Sequence, residues 1–140
     1  MSLSTEALEV HISQLLDIYS SKFNNGDFEE VASNYHEPAI AITAGSVAIL
    51  PARKDLPNFF SELIERRRKN GYKHSEFAGP KNIIVLDEKG LVLASCHCKM
   101  VHEDGTSYEE FTATYTLRKT DDQKWLIAAI HQHPLKTQLK

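Results

Sequence analysis

The chain has 140 residues, 41% of them hydrophobic and 25% charged, with a net charge of −3. That length can bury a core without disulfide or metal staples, and the mild acidity excludes the broad basic footprint of a nucleic-acid binder. No apolar run approaches the ~18 residues of a membrane span, and no charged segment followed by an apolar stretch marks a secretion signal. A single cytoplasmic domain over residues 1–140, with no nucleic-acid or membrane partner, is therefore expected.

The first segment, TEALEVHISQLLDIYSSKFN, places Leu8, Ile12, Leu15, Leu16, Tyr19 and Phe23 at three- and four-residue steps. That spacing predicts an amphipathic helix, capped by Ser4 or Thr5 and stopped at Asn24-Asn25-Gly26. A second, short helix is expected from Asp27, whose spacing to Glu30 is that of a capping box. Its apolar side would be Phe28, Val31, Ala32 and Tyr35, and Pro38 would end it. AIAITAG and SVAIL read as a hairpin turning near Gly45. A third helix is predicted from Arg53 to Asn70, with Pro57 in its first turn and Asn70-Gly71 after its last. Its buried stripe is Leu56, Phe59, Phe60, Leu63, Ile64 and Arg67. The basic run Glu65–Lys69 suits the negative end of that helix.

Beyond Gly71 the period changes to two. YKHSEFAGPKNIIVLD, GLVLASCHCKMVHED, SYEEFTATYTLRKT and KWLIAAIHQHP are four extended segments joined by short polar turns, the pattern of an antiparallel meander. Helices first and strands after make the class α+β. Alternation puts Val92, Ala94, Cys96, Cys98 and Met100 on one face of the second segment, opposite Leu91, Leu93, Ser95, His97 and Lys99. In the third, Phe111, Ala113, Tyr115 and Leu117 oppose Thr112, Thr114, Thr116 and Arg118. The last segment is apolar on both faces, Trp125, Ile127 and Ala129 against Leu126, Ala128 and Ile130. Helices can cover only one face of a sheet, so a homodimer through the other face is expected.

Cys96 and Cys98, with His131 and His133, are the residue types of a zinc site. Side chains at i and i+2 of a flat strand stand about 6.5 Å apart with no turn to wrap an ion, so no metal is expected. The cysteines read as small buried apolar residues. No phosphate-cradling or dinucleotide-binding glycine loop and no nucleophile elbow is present, so no cofactor is implied. Buried tyrosine hydroxyls need partners, which makes Tyr19 and Tyr35, each read on an early helix, the leading ligand-contacting candidates.

The order of these segments resembles the nuclear-transport-factor-2-like superfamily, in particular its small SnoaL-like bacterial members. The likeness runs from about residue 7 to 134. It is carried by YSSKFNNGDFEEVASNYHEPAIAIT, ILPARKDLPNFFSELI and the closing YTLRKTDDQKWLIAAIHQHP. The resemblance implies a cone-shaped curved antiparallel sheet wrapped around three N-terminal-half helices, with a pocket between them. It also agrees with dimerisation through the outer sheet face. Catalytic members carry an Asp or Glu in the pocket, often with His or Tyr. No carboxylate is evident on the inward faces of this chain, and Glu109 is expected to be exposed. The last strand of such a fold ends near the pocket mouth, which makes His131 a third candidate. The expected lining is Tyr19, Phe23, Tyr35, Phe60, Cys98, Phe111, Tyr115 and His131. The expected function is binding of an unknown small, largely apolar molecule. The alternatives are an isomerase, cyclase or hydro-lyase using His131 with Tyr19 or Tyr35 as acid and base, and a protein-interaction module.

Overall fold

The computed structural model of the chain describes residues 4–134. Helix α1 spans Thr5–Asn24, and the Ser4 hydroxyl accepts from the Ala7 amide at 3.2 Å, occupying one of the orphan donors of the first turn. At its far end the amide of Gly26 donates to Phe23 and that of Asp27 to Lys22. This paired closure needs a left-handed residue at Gly26, whose φ is +79°. Leu8, Ile12, Leu16 and Tyr19 form the buried stripe.

Helix α2 is only Phe28–Ala32. Asp27 makes no side-chain cap there and ion-pairs instead with Lys22 at 3.9 Å. The helix stops early because the Ser33 hydroxyl and the Asn34 amide both turn back to the Glu30 carbonyl, at 2.6 and 2.9 Å. Strand β1 (Tyr35–Thr43) therefore begins well before the expected hairpin, and Tyr35 lies on a strand rather than on the second helix. Pro38 sits inside that strand. It has no N–H to give a ladder, and the register with the neighbouring strand shifts between Tyr35 and Ile40.

Strand β2 (Ser46–Ile49) completes the hairpin. A 3₁₀ turn at Arg53–Asp55 leads into α3 (Leu56–Arg68), which buries Leu56, Phe60 and Ile64. The first of the four extended segments is two strands, β3 (Tyr72–Phe77) and β4 (Asn82–Asp87). Gly79, at φ +78°, and Pro80 break it. Both pieces pair with the same side of β5 (Leu91–His102). Strands β6 (Ser107–Lys119) and β7 (Trp125–His133) follow.

The sheet order is β2-β1-β7-β6-β5-β3, with β4 also on β5. Every pairing is antiparallel except β1 with β7. The architecture is the expected α+β curved sheet with three helices on one face. Their stripes meet Val92, Ala94, Cys96, Cys98, Ala113, Tyr115, Leu117, Trp125 and Ile127 in one core.

One irregularity decides the direction of the C-terminal side chains. Leu117 pairs with Ile127, and Thr116 pairs with Ala129, so Ala128 is an extra residue in β7. A bulge of this kind reverses the alternation beyond it. Ile127 and Ile130 therefore both face the helices, opposite Leu117 and Tyr115, while His131 and His133 lie opposite Thr114 and Thr112 on the outer face. The two-sided apolarity of this segment is explained in part inside one chain.

Candidate functional site

A cavity of about 130 Å³ lies between the helices and the sheet. Helix α1 contributes Tyr19, Ser20, Phe23 and Asn24, and α3 contributes Phe60, Leu63 and Arg67. Tyr35 comes from β1 and Ser75, Glu76 and Phe77 from β3. Cys98 and Met100 come from β5, Phe111, Ala113 and Tyr115 from β6, and Ile130 and Gln132 from β7. Of the inward positions expected from alternation, Cys98 and Met100 on β5 and Phe111, Ala113 and Tyr115 on β6 line the cavity, while Val92, Ala94, Cys96 and Leu117 pack in the core.

Three tyrosines meet at the cavity. The Tyr19 and Tyr35 hydroxyls share a hydrogen bond of 2.6 Å. The Tyr19 ring stands edge-on to both Tyr35 and Tyr115, with centroids 5.9 and 6.1 Å away. Tyr35 is held by its backbone, since its carbonyl accepts from Arg53 Nε and Nη2 at 3.1 and 2.9 Å. Tyr35 is 0% exposed, whereas Tyr19 and Tyr115 retain 7% and 6%. Two hydroxyls carry two protons and their mutual bond uses one. Both rings line the cavity, and Tyr19 is the member of the pair that keeps some exposure. The Tyr115 hydroxyl has no hydrogen-bond partner among the described residues, and it is not among the fully enclosed orphans, of which Thr112 Oγ1 is one.

Burial holds these groups neutral. It pushes the Tyr19 hydroxyl up to about 12, against the smaller lowering effects of its bond to Tyr35 and of the Arg67 charge. Burial likewise raises Tyr35 and Tyr115 well above the usual phenol value. The tyrosines are thus hydrogen-bond donors, not bases. The Cys98 thiol, which lines the cavity, and the Cys96 thiol behind it are raised by burial to about 12. Neither is an activated nucleophile.

The end of α1 and β3 meet at one side of the cavity. Asn24 links them: its side-chain amide donates to the Ser75 carbonyl at 2.7 Å and its oxygen accepts from the Ser75 amide at 3.1 Å. A wider surface groove continues outward from Ser20, Asn24, Ser75 and Glu76 toward Asp17 and His74. Glu76 Oε2 lies 3.4 Å from His74 Nε2, and its side chain is half exposed.

Seven of the eight expected lining residues are brought together. His131 is the correction: it does not line the cavity, and its Nδ1 lies 3.2 Å from the Thr114 carbonyl on the outer face. The bulge at Ala128 is the reason. The same reversal separates the suspected metal ligands, with Cys96 and Cys98 facing inward and His131 and His133 outward, so the two pairs cannot share an ion. His97, on the outer face as expected, pairs with Glu110 at 2.8 Å. Glu109 is exposed, but the expectation of no lining carboxylate is corrected by Glu76. Alternation missed Gln132 and Ile130 because nothing in the sequence marks the bulge. Arg67 carried a legible signal, a cation on the apolar stripe of its helix.

A family model described as NTF2-like protein (DUF6841) matches residues 6–135. No curated protein matches the chain. Among solved structures, the chain is similar to an NTF2-like protein with a cystatin-like fold from Novosphingobium aromaticivorans. The TM-score is 0.68 and the identity 20%, over 91% of this chain and 81% of that one. A domain of unknown function with a cystatin-like fold from Nostoc punctiforme gives a TM-score of 0.72 at 20% identity, covering 98% and 81%. A Catenulispora acidiphila protein in complex with S-DNPA gives 0.65 at 21% identity, covering 91% and 95%. At these identities the likeness is one of fold.

Proposed function

The chain belongs to the NTF2-like family described as DUF6841, and on that footing we propose that it binds a small, largely apolar molecule in the cavity between sheet and helices. The observation that carries this reading is the pairing of an aromatic-lined cavity of about 130 Å³ with a donor-rich tyrosine cluster. An apolar cavity of about 150 Å³ is enough to take benzene, so the ligand class is a single ring or a branched chain of similar bulk. Tyr19, backed by Tyr35, and Tyr115 would donate to a carbonyl or hydroxyl oxygen on it. The related fold from Catenulispora acidiphila, described in complex with S-DNPA, supports the reading.

Acid–base catalysis by an isomerase, cyclase or hydro-lyase is the second reading. It would need a proton acceptor at the cavity. With His131 on the outer face, Glu76 is the lining residue of that type, and its half-exposed position at the rim favours binding over proton transfer. A protein-interaction role has no observation of its own to favour it.

The test is a nuclear magnetic resonance titration with phenol, cyclohexanone and biphenyl. The two single-ring compounds are expected to move the signals of Tyr19, Cys98 and Tyr115 with Kd of about 0.1–1 mM, or −4 to −5.5 kcal/mol. Biphenyl, too long for the space, is expected to leave them in place. Single-ring compounds at several millimolar that move none of these signals would refute the reading.

We also infer a homodimer through the outer face of β5–β7. Leu93, Thr116 and Ala129 form one cross-strand row there, half-buried and on the face away from the helices. A mixed apolar and polar surface of this kind is ordinary for a non-obligate interface. Sedimentation at about 10 µM is expected to give twice the mass of the chain, 15.8 kDa. A monomer under those conditions would sink the inference.

A further inference from the structure

Arg67 is a charge in this cavity without an ion-pair partner among the described residues. Three arginines close α3, Arg66, Arg67 and Arg68. The outer two are exposed, whereas Arg67 is half-buried and lines the cavity. Its guanidinium carbon lies 5.9 Å from the centroid of the Tyr72 ring. The ion pairs among the described residues are Lys22–Asp27, His74–Glu76, Lys81–Asp17 and His97–Glu110, none of which involves it. Glu76, the other charged lining residue, lies beside His74.

A partly desolvated guanidinium is stabilised by an anion that meets its planar fork, and a carboxylate fits that fork with two parallel hydrogen bonds. The rest of the cavity wall is mostly aromatic and apolar, with the neutral polar side chains of Ser20, Asn24, Ser75 and Gln132, the carboxylate of Glu76, and the neutral hydroxyls of Tyr19, Tyr35 and Tyr115, so Arg67 is its cation. The polar demands of the site therefore differ at its two ends: neutral donors among the tyrosines and a cation on α3.

We propose that the ligand is a small monocarboxylate of about benzoate size, its carboxylate on Arg67 and its apolar body against Phe60, Phe111 and Tyr115. This rests on the cavity being a ligand site, and it adds the class of ligand and the residue that selects it.

Benzoate and benzyl alcohol have nearly the same shape and differ in charge. Titrated into the full chain by calorimetry, benzoate is expected to bind at least tenfold tighter than benzyl alcohol. In Arg67→Gln that preference is expected to vanish, the two compounds then binding alike. Arg67→Lys, which keeps the charge without the fork, is expected to retain part of it. Raising the salt from about 50 to 500 mM should shrink the preference in the unmodified protein. Equal binding of the two compounds, or a preference that survives Arg67→Gln, overturns the assignment of a carboxylate and leaves the cavity reading intact. Binding of neither compound overturns both. A folded Arg67→Gln chain, confirmed by an unchanged thermal midpoint within a few degrees, is the condition under which its calorimetry is compared. If that variant unfolds, Arg67→Lys and the salt series decide: an unchanged preference in either overturns the proposal.

Discussion

Ile127→Ala is expected to lower unfolding stability by about 3–4 kcal/mol, while His131→Ala, four residues along the same strand, lowers it by less than about 1 kcal/mol. Ile127 is wholly enclosed and pairs in register with Tyr35 on one side and Leu117 on the other, both wholly enclosed as well. Removing three carbons there opens a cavity in a wall with no slack to refill it. His131 lies beyond the bulge, partly buried on the outer face, where its described bond is to a backbone carbonyl. Ile130→Ala, at the first inward position after the bulge, is expected to fall between the two, at about 1–2 kcal/mol. Urea denaturation of the three variants checks the order. A larger loss for His131→Ala than for Ile130→Ala would mean that β7 keeps simple alternation and that the cavity is lined differently.

Tyr19→Phe is expected to cost about 2 kcal/mol of stability, and Tyr35→Phe about 1. The asymmetry comes from where each hydroxyl is left. Without Tyr19, the Tyr35 hydroxyl is stranded at 0% exposure. Without Tyr35, the Tyr19 hydroxyl is left on a residue that lines the cavity and keeps 7% exposure, where it is less costly to leave unpaired. The double variant Tyr19→Phe/Tyr35→Phe is expected to cost less than the sum, because it strands nothing. Additive losses in the full double-mutant cycle would argue against the 2.6 Å bond as a coupled pair. The raised pKa gives a second readout. Folding holds the Tyr19 hydroxyl neutral, so its contribution is fully present below pH 10.0 and is lost as pH rises through about 12. The alkaline loss should be smaller in Tyr19→Phe.

Much of the site was legible because it follows from periodicity. The three-and-four spacing that makes α1 a helix puts Tyr19 and Phe23 on its buried stripe, and the alternation of β5 and β6 puts Cys98, Phe111 and Tyr115 inward. Tyr35 lines the cavity, as its residue type suggested, but from a strand rather than a helix. Its spacing from Phe28 and Val31 fits a helix, and the side-chain bonds of Ser33 and Asn34 that end the helix are a local competition whose winner the spacing does not reveal. The break at Gly79 and Pro80 was visible as residue types, yet the segment read as one strand because both halves alternate.

The sequence by itself determined the class of fold, the inward faces of the central strands and the aromatic character of the cavity. These depend on the spacing of apolar side chains along a helix or strand, which is a local quantity. Only the tertiary structure decided which way His131 and Gln132 point, which tyrosine of the pair keeps some exposure, and that Arg67 forms no ion pair among the described residues. Each of these depends on one residue's register or distance relative to a strand or helix far away in the chain. A single extra residue at Ala128, costing nothing in composition or pattern, is enough to exchange one face for the other.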